Sequence, residues 1–141
     1  MPRPPFKFSA WTRVGFSDTD AQGVVYYGRY MPYFDLARVE YHRRLDGLRG
    51  EPGGEFVMRA MSVEYQAPAR FDDEIEVDVR ISRIGRTSVT YEFAAYLPGA
   101  VPGVSATQTA VLIDAETRRP VPISQEFRDR VRAFEGDDLD A

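Results

Sequence analysis

The sequence predicts an α+β domain in which one antiparallel sheet of five strands covers a single long helix. Three observations carry that class. Tyr30, Phe34, Ala37, Tyr41, Leu45 and Leu48 recur every three or four positions, which makes one apolar helical stripe. Beyond Phe56 the period drops to two: in "EIEVDVRISRI", Ile75, Val77, Val79 and Ile81 alternate with Glu76, Asp78 and Arg80. One helix stripe and a set of half-apolar strands bury each other when they stack as two layers.

The elements follow in order. Residues 1–7 carry three prolines and read as a flexible arm. "FSAWTRVGF" puts Phe8, Ala10, Thr12, Val14 and Phe16 on one face of a first strand. The long helix comes next, with Pro32 expected in its first turn, where a missing N–H costs nothing. "LDGLRGEPGGE" ends it in a glycine-rich loop. "FVMRAMSVEYQAPARF" is strand-like, with Val57, Met61, Val63 and Tyr65 on one side. Residues 74–97 form a hairpin through "RIGR", its second strand facing inward with Val89, Tyr91, Phe93 and Ala95. "GVSATQTAVLID" is the last strand. A short helix starts at Ser124 and buries Phe127, Val131 and Phe134, and residues 136–141 are expected to fray. Residues 1–141 thus read as a single domain without repeats.

Composition narrows the chemistry. A net charge of −4 gives no electrostatic footprint for nucleic acid. The absence of cysteine excludes disulfides, thiolate metal sites and a cysteine nucleophile. No apolar run is long enough to span a bilayer, so no membrane insertion and a cytoplasmic location are expected. His42, the one histidine, stands mid-helix beside Arg43 and Arg44 without partners for a metal site, and none is expected.

The stretch "SDTDAQGVVYYGRY" carries the reactive groups. By residue type, Asp18 and Asp20 read as turn residues whose side chains bond nearby amides. A carboxylate just ahead of a helix also lies near unpaired N–H groups and the positive end of the helix dipole. Those donors can polarise a carbonyl while the carboxylate attacks it or activates water. Gly23 and Gly28 would let backbone approach a substrate closely. Asp35 and Glu40 instead sit at ion-pair spacing from Arg38 and Arg44. "RISRIGRTS" gathers Arg80, Arg83 and Arg86 at a turn, the ordinary composition of a solvated hairpin end.

"FSDTDAQGVVYYGRYMPYFDLARVEY" closely resembles the signature of hotdog-fold acyl-CoA thioesterases of the 4-hydroxybenzoyl-CoA type, and "FVMRAMSVEYQAPARFDDEIEV" resembles their next segment, in the Tol–Pal-associated branch above all. The likeness runs from about Thr12 to Arg130. It implies a hotdog fold and hydrolysis of an acyl-CoA, or of an acyl-carrier-protein thioester, with coenzyme A as part of the substrate rather than a cofactor. It implies Asp20 as the catalytic carboxylate and the Tyr27 N–H as the donor to the thioester oxygen, with Gly28 beside it. Arg83 and Arg86 would then meet the phosphates of coenzyme A or of a phosphopantetheine carrier, with Thr87 among the substrate-binding residues. A homodimer or homotetramer with the site at a subunit interface is also implied. One departure matters: the Tol–Pal-associated branch commonly has a histidine after "VVY", where this chain has Tyr27. A dehydratase on the same fold, or a non-catalytic acyl-CoA-binding protein, are the rival readings.

Overall fold

A computed structural model describes residues 1–141. Strand β1 (Phe8–Arg13) precedes helix α1 (Met31–Asp46), and β2 (Gly54–Tyr65), β3 (Glu74–Ile84), β4 (Ser88–Leu97) and β5 (Val101–Asp114) follow, with α2 (Gln125–Glu135) closing the order. The strands form one antiparallel sheet in the order β1-β3-β4-β5-β2. Sequential hairpins account for β3-β4-β5. The placement of β1 and β2 on opposite edges needs the helix between them.

Alternation explains the core. Ile75, Val77, Val79 and Ile81 of β3, with Val89, Tyr91, Phe93 and Ala95 of β4, are buried and face the α1 stripe. Ala37 sits at the centre of that stripe with no exposed surface, and a side chain this small brings helix and sheet together. Phe34 then packs on Phe93, ring centroids 5.0 Å apart. α1 takes Pro32 in its first turn and ends at Gly47, whose φ of +64° lets its N–H bond the Arg43 carbonyl. Leu48, expected on the apolar stripe, lies past this cap and is exposed. Ser124 caps α2 by accepting the Phe127 N–H at 3.1 Å. No helix is long and apolar enough to cross a membrane.

Both chain ends are held, where the sequence suggested a flexible arm and a frayed tail. The Arg3 N–H donates to Asp78 at 3.0 Å, its guanidinium reaches Glu76 at 2.8 Å, and it lies 3.7 Å from the Tyr96 ring. Glu76 and Asp78, the outward residues of an alternating strand, are buried by this arm. At the other end Leu139 is buried, and Asp140 exchanges backbone bonds with Ser82 and Ile84. Asp35 pairs with Arg38 as its spacing suggests, whereas Glu40 pairs with Arg43 rather than Arg44.

Candidate active site

The loop between β1 and α1 folds back on itself. A one-turn 3-10 helix (Phe16–Asp18) leads to a bridge between Thr19 and Val25, and Val24 bridges Arg70 in the β2–β3 loop. At the turn the Asp20 N–H donates to the Val24 carbonyl at 2.9 Å, and Gly23, at φ +80°, returns its N–H to the Asp20 carbonyl. Three short backbone segments therefore meet beside the start of the helix.

The two aspartates part company here. Asp18 is a tie: Oδ2 accepts the Gly15 N–H at 3.0 Å and the Tyr33 hydroxyl at 2.8 Å, and Oδ1 accepts Arg29 at 3.0 Å. Burial works against its ionisation, but those donors outweigh it and hold its carboxyl below the ordinary carboxylate range. Asp20 uses one oxygen locally, Oδ1 accepting the Gln22 N–H at 2.8 Å. Its Oδ2 has no protein donor, and the residue lines a cleft of about 280 Å³ with Val24, Val25, Tyr27, Tyr30 and Tyr65.

Tyr27 opens a 3-10 turn (Tyr27–Tyr30) that runs straight into α1. The first amides of such a run have no partner in the preceding turn. Neither the Tyr27 nor the Gly28 N–H finds an acceptor in the loop, while the next amide, Arg29, donates to the Tyr26 carbonyl. The Tyr65 hydroxyl donates to the Tyr27 carbonyl at 3.0 Å. Because a peptide is planar and trans, fixing that carbonyl also fixes the Gly28 N–H, which points the opposite way. A side chain at Gly28 would lie 3.2 Å from the Tyr26 ring, so glycine suits the site. Tyr30 completes the wall: its hydroxyl accepts the Ala69 N–H at 3.1 Å and ties the helix start to the β2–β3 loop.

Asp20 and Tyr27 thus line one cleft, with Gly28 next to Tyr27 in the chain, whereas Arg83, Arg86 and Thr87 are not part of it. The Asp20 loop sits at the Glu74 end of β3, and the basic turn at its Ile84 end, about 33 Å away at the rise of an extended strand. There Arg83 lies 3.6 Å from Asp140, and the Arg86 and Thr87 carbonyls accept the Ile123 and Leu112 amides. The expected phosphate contacts are therefore not part of the same chain's cleft. His42 is also remote from Asp20 along the helix: its Nε2 lies 2.5 Å from the Tyr91 hydroxyl, and burial lowers its pKa to about 4, leaving a neutral ring. Tyr65 and Tyr30 also line the cleft, and periodicity alone places them on a strand face and on the helix stripe. Their signal was position, at the two chain segments flanking the loops that form the cleft.

A five-stranded antiparallel sheet wrapped on one helix, with a carboxylate before the helix entrance, is the hotdog architecture of thioester-processing proteins. Residues 14–131 match the model of the Thioesterase-like superfamily, and the chain belongs to that superfamily. The acyl-CoA thioesterase YbgC of Haemophilus influenzae is 30% identical over 125 residues, spanning 86% of this chain and 91% of that protein. The acyl-CoA thioester hydrolase YbgC of Escherichia coli O6:H1 is 41% identical over 83 residues, 56% of this chain and 61% of that protein. Among solved structures, a thioesterase from Thermus thermophilus complexed with coenzyme A and Zn superposes with a TM-score of 0.82 at 30% identity, covering 95% of this chain and 98% of that one.

Proposed function

We propose that this protein hydrolyses acyl-CoA thioesters to the free acid and coenzyme A, with Asp20 as the reacting carboxylate. The observation that carries the reading is that Asp20 and Tyr27 line one cleft, with no acceptor in the loop for the Tyr27 N–H. The thioester carbonyl oxygen lies toward the Tyr27 and Gly28 amides, where the dipole of α1 adds positive potential. Asp20 Oδ2 either attacks the carbonyl carbon, giving an acyl–Asp20 anhydride that water then cleaves to the acid and the free carboxylate, or takes a proton from an attacking water. Negative charge moves to the oxygen, the C–S bond breaks, and the thiolate leaves to be protonated. Water supplies the hydroxyl of the acid in both routes. His42 has no part in this, being neutral, bonded to Tyr91 and distant from the cleft.

The protein works as at least a dimer. β2 is an edge strand of twelve residues whose outer side leaves its backbone unpaired. Met58, Met61 and Tyr65 of β2 are exposed along it, and the exposed Val39 of α1 lies by Phe56 of the same strand. Antiparallel pairing of this edge with a second copy covers them and places each cleft, at the Tyr65 end, against the Gly54 end of the partner's strand.

A free-thiol assay over short, medium, long and aromatic acyl-CoAs tests the reading. Release of coenzyme A that is lost in Asp20→Asn supports it. Ligand binding with no thiol released from any of these substrates refutes it in favour of a binding protein.

A further inference from the structure

Two successive peptides at the mouth of α1 leave their amides free, and each is held by its carbonyl. The Tyr26 carbonyl accepts the Arg29 N–H at 2.8 Å, a backbone bond at the start of the 3-10 turn, and so orients the Tyr27 N–H. The Tyr27 carbonyl accepts the Tyr65 hydroxyl at 3.0 Å, and so orients the Gly28 N–H. In both cases the planar trans peptide turns the amide away from the bonded oxygen. Neither N–H finds an acceptor in the loop.

The second support comes from a side chain 38 positions away. Glycine at 28 has no side chain to restrict its own backbone, so the Tyr27–Gly28 peptide plane gains most from an anchor outside the turn. Tyr65 supplies that anchor from a rigid place. It is the last residue of β2, in register with Val104 of β5, and the two residues after it both donate their N–H to the Gly103 carbonyl, at 2.8 and 3.1 Å. Its ring stands edge to face on Tyr30, with centroids 5.8 Å apart. Tyr65, Tyr27 and Asp20 line the same cleft. Tyr65 is also half exposed, so its hydroxyl can be removed without opening the core.

We propose that Tyr65 is a positioning residue for the hydrolysis, its hydroxyl holding the Tyr27–Gly28 peptide so that the Gly28 N–H stays aimed at the thioester oxygen. This rests on the thioesterase reading above and deepens it. The hydroxyl does not touch the reacting atoms; it acts through the peptide plane. Without the bond that plane rocks about ψ of Tyr27 and φ of Gly28, and one of the two amide donors spends part of its time out of line. A donor aimed at an oxygen that gains charge acts more on the transition state than on bound substrate, so the loss falls on kcat.

The test is Tyr65→Phe, which keeps the ring and removes the hydroxyl. With native circular dichroism, kcat on an acyl-CoA should fall about tenfold, a fraction of the roughly 10²–10³-fold carried by a whole oxyanion donor, and KM should stay within about twofold of wild type. Amide relaxation measured by NMR should show the Gly28 N–H order parameter dropping from about 0.85 toward about 0.6, while the Tyr27 N–H stays rigid. A wild-type kcat, a loss carried by KM alone, or an unchanged Gly28 order parameter overturns the role. Its failure is separable from failure of the catalytic reading. No thiol release by wild type, or full turnover by Asp20→Asn, defeats that reading, whereas the Gly28 relaxation readout needs no substrate.

Discussion

The Tyr33 hydroxyl donates to Asp18 Oδ2 at 2.8 Å and so clips the loop that carries Asp20 onto the first turn of α1. The pair is half-buried, and its geometry places the loop at a set distance from the helix amides. Tyr33→Phe removes the donor and leaves the carboxylate short of one partner, a loss of about 1–2 kcal/mol. Thermal unfolding should show the lower stability. kcat should fall through loosened positioning, by far less than in Asp20→Asn.

Asp18 also sets an acid limit. Its folded-state carboxyl titrates below the ordinary range, so its contribution is present above the unfolded pKa and is lost as pH falls through the folded one. Melting temperature should therefore drop on acidification below about pH 4, and that part of the drop should be absent in Asp18→Asn. An identical pH slope in the variant would show that the loop tie is not linked to this carboxylate.

His42 works over a higher window. Burial is the main cause of its pKa of about 4, with Arg38 and Arg130 lowering it further and Asp46 opposing them. The unfolded chain takes up the proton near 6.5, so stability present above that pH is lost as pH falls toward about 4. The full span corresponds to roughly 3 kcal/mol. Chemical denaturation at several pH values should show this slope in wild type and a flatter one in His42→Gln. Resonances of the ring should stay those of neutral imidazole at about pH 6, below the ordinary histidine pKa.

Glu135 behaves in the opposite sense. It is buried at the end of α2, where its Oε2 accepts the Tyr41 hydroxyl at 2.6 Å and the Ile81 N–H at 3.2 Å, and its Oε1 has no partner. Burial raises its pKa against those two donors and the charges of Lys7 and Arg80. Its contribution is complete below the unfolded pKa and is lost as pH rises through the raised folded value. Glu135→Gln should gain on wild type in melting temperature as pH rises from about 5 to about 8, and Glu135→Ala should lose stability throughout. A gap between Gln variant and wild type that does not change with pH would contradict this.

Dimer formation through β2 predicts a change of mass. Val39→Lys with Met61→Lys puts charge on the exposed apolar surface beside the unpaired edge. Light scattering should show monomers with native circular dichroism. An unchanged oligomer would place the interface elsewhere.

Much of this arrangement was legible along the chain because it rests on periodicity. The stripe through Phe34, Ala37 and Tyr41, the alternation from Ile75 to Ile81 and the Ser124 cap all report local burial or local bonding, and the structure repeats them. β2 was harder to read: a bulge between Met58 and Ala60 shifts its register, and its exposed apolar residues carry no mark to tell an edge from a core. Glu76 and Asp78 looked like solvent-facing residues because the arm that buries them lies more than 70 positions away. Distance in sequence also hid the Tyr65 bond to Tyr27, and it hid how far Arg83 and Arg86 stand from Asp20. Asp20 itself was singled out by resemblance; its chemistry alone fits a turn equally well.

The most direct measurement is single-substrate turnover of Asp20→Asn, followed by thiol release, with melting temperature and coenzyme A affinity recorded on the same sample. The expected result is a loss in kcat of about 10²–10⁴-fold, the range for a positioned acid–base group, at wild-type stability and affinity. Turnover at the wild-type rate in a folded, ligand-binding variant would contradict the role given to this carboxylate.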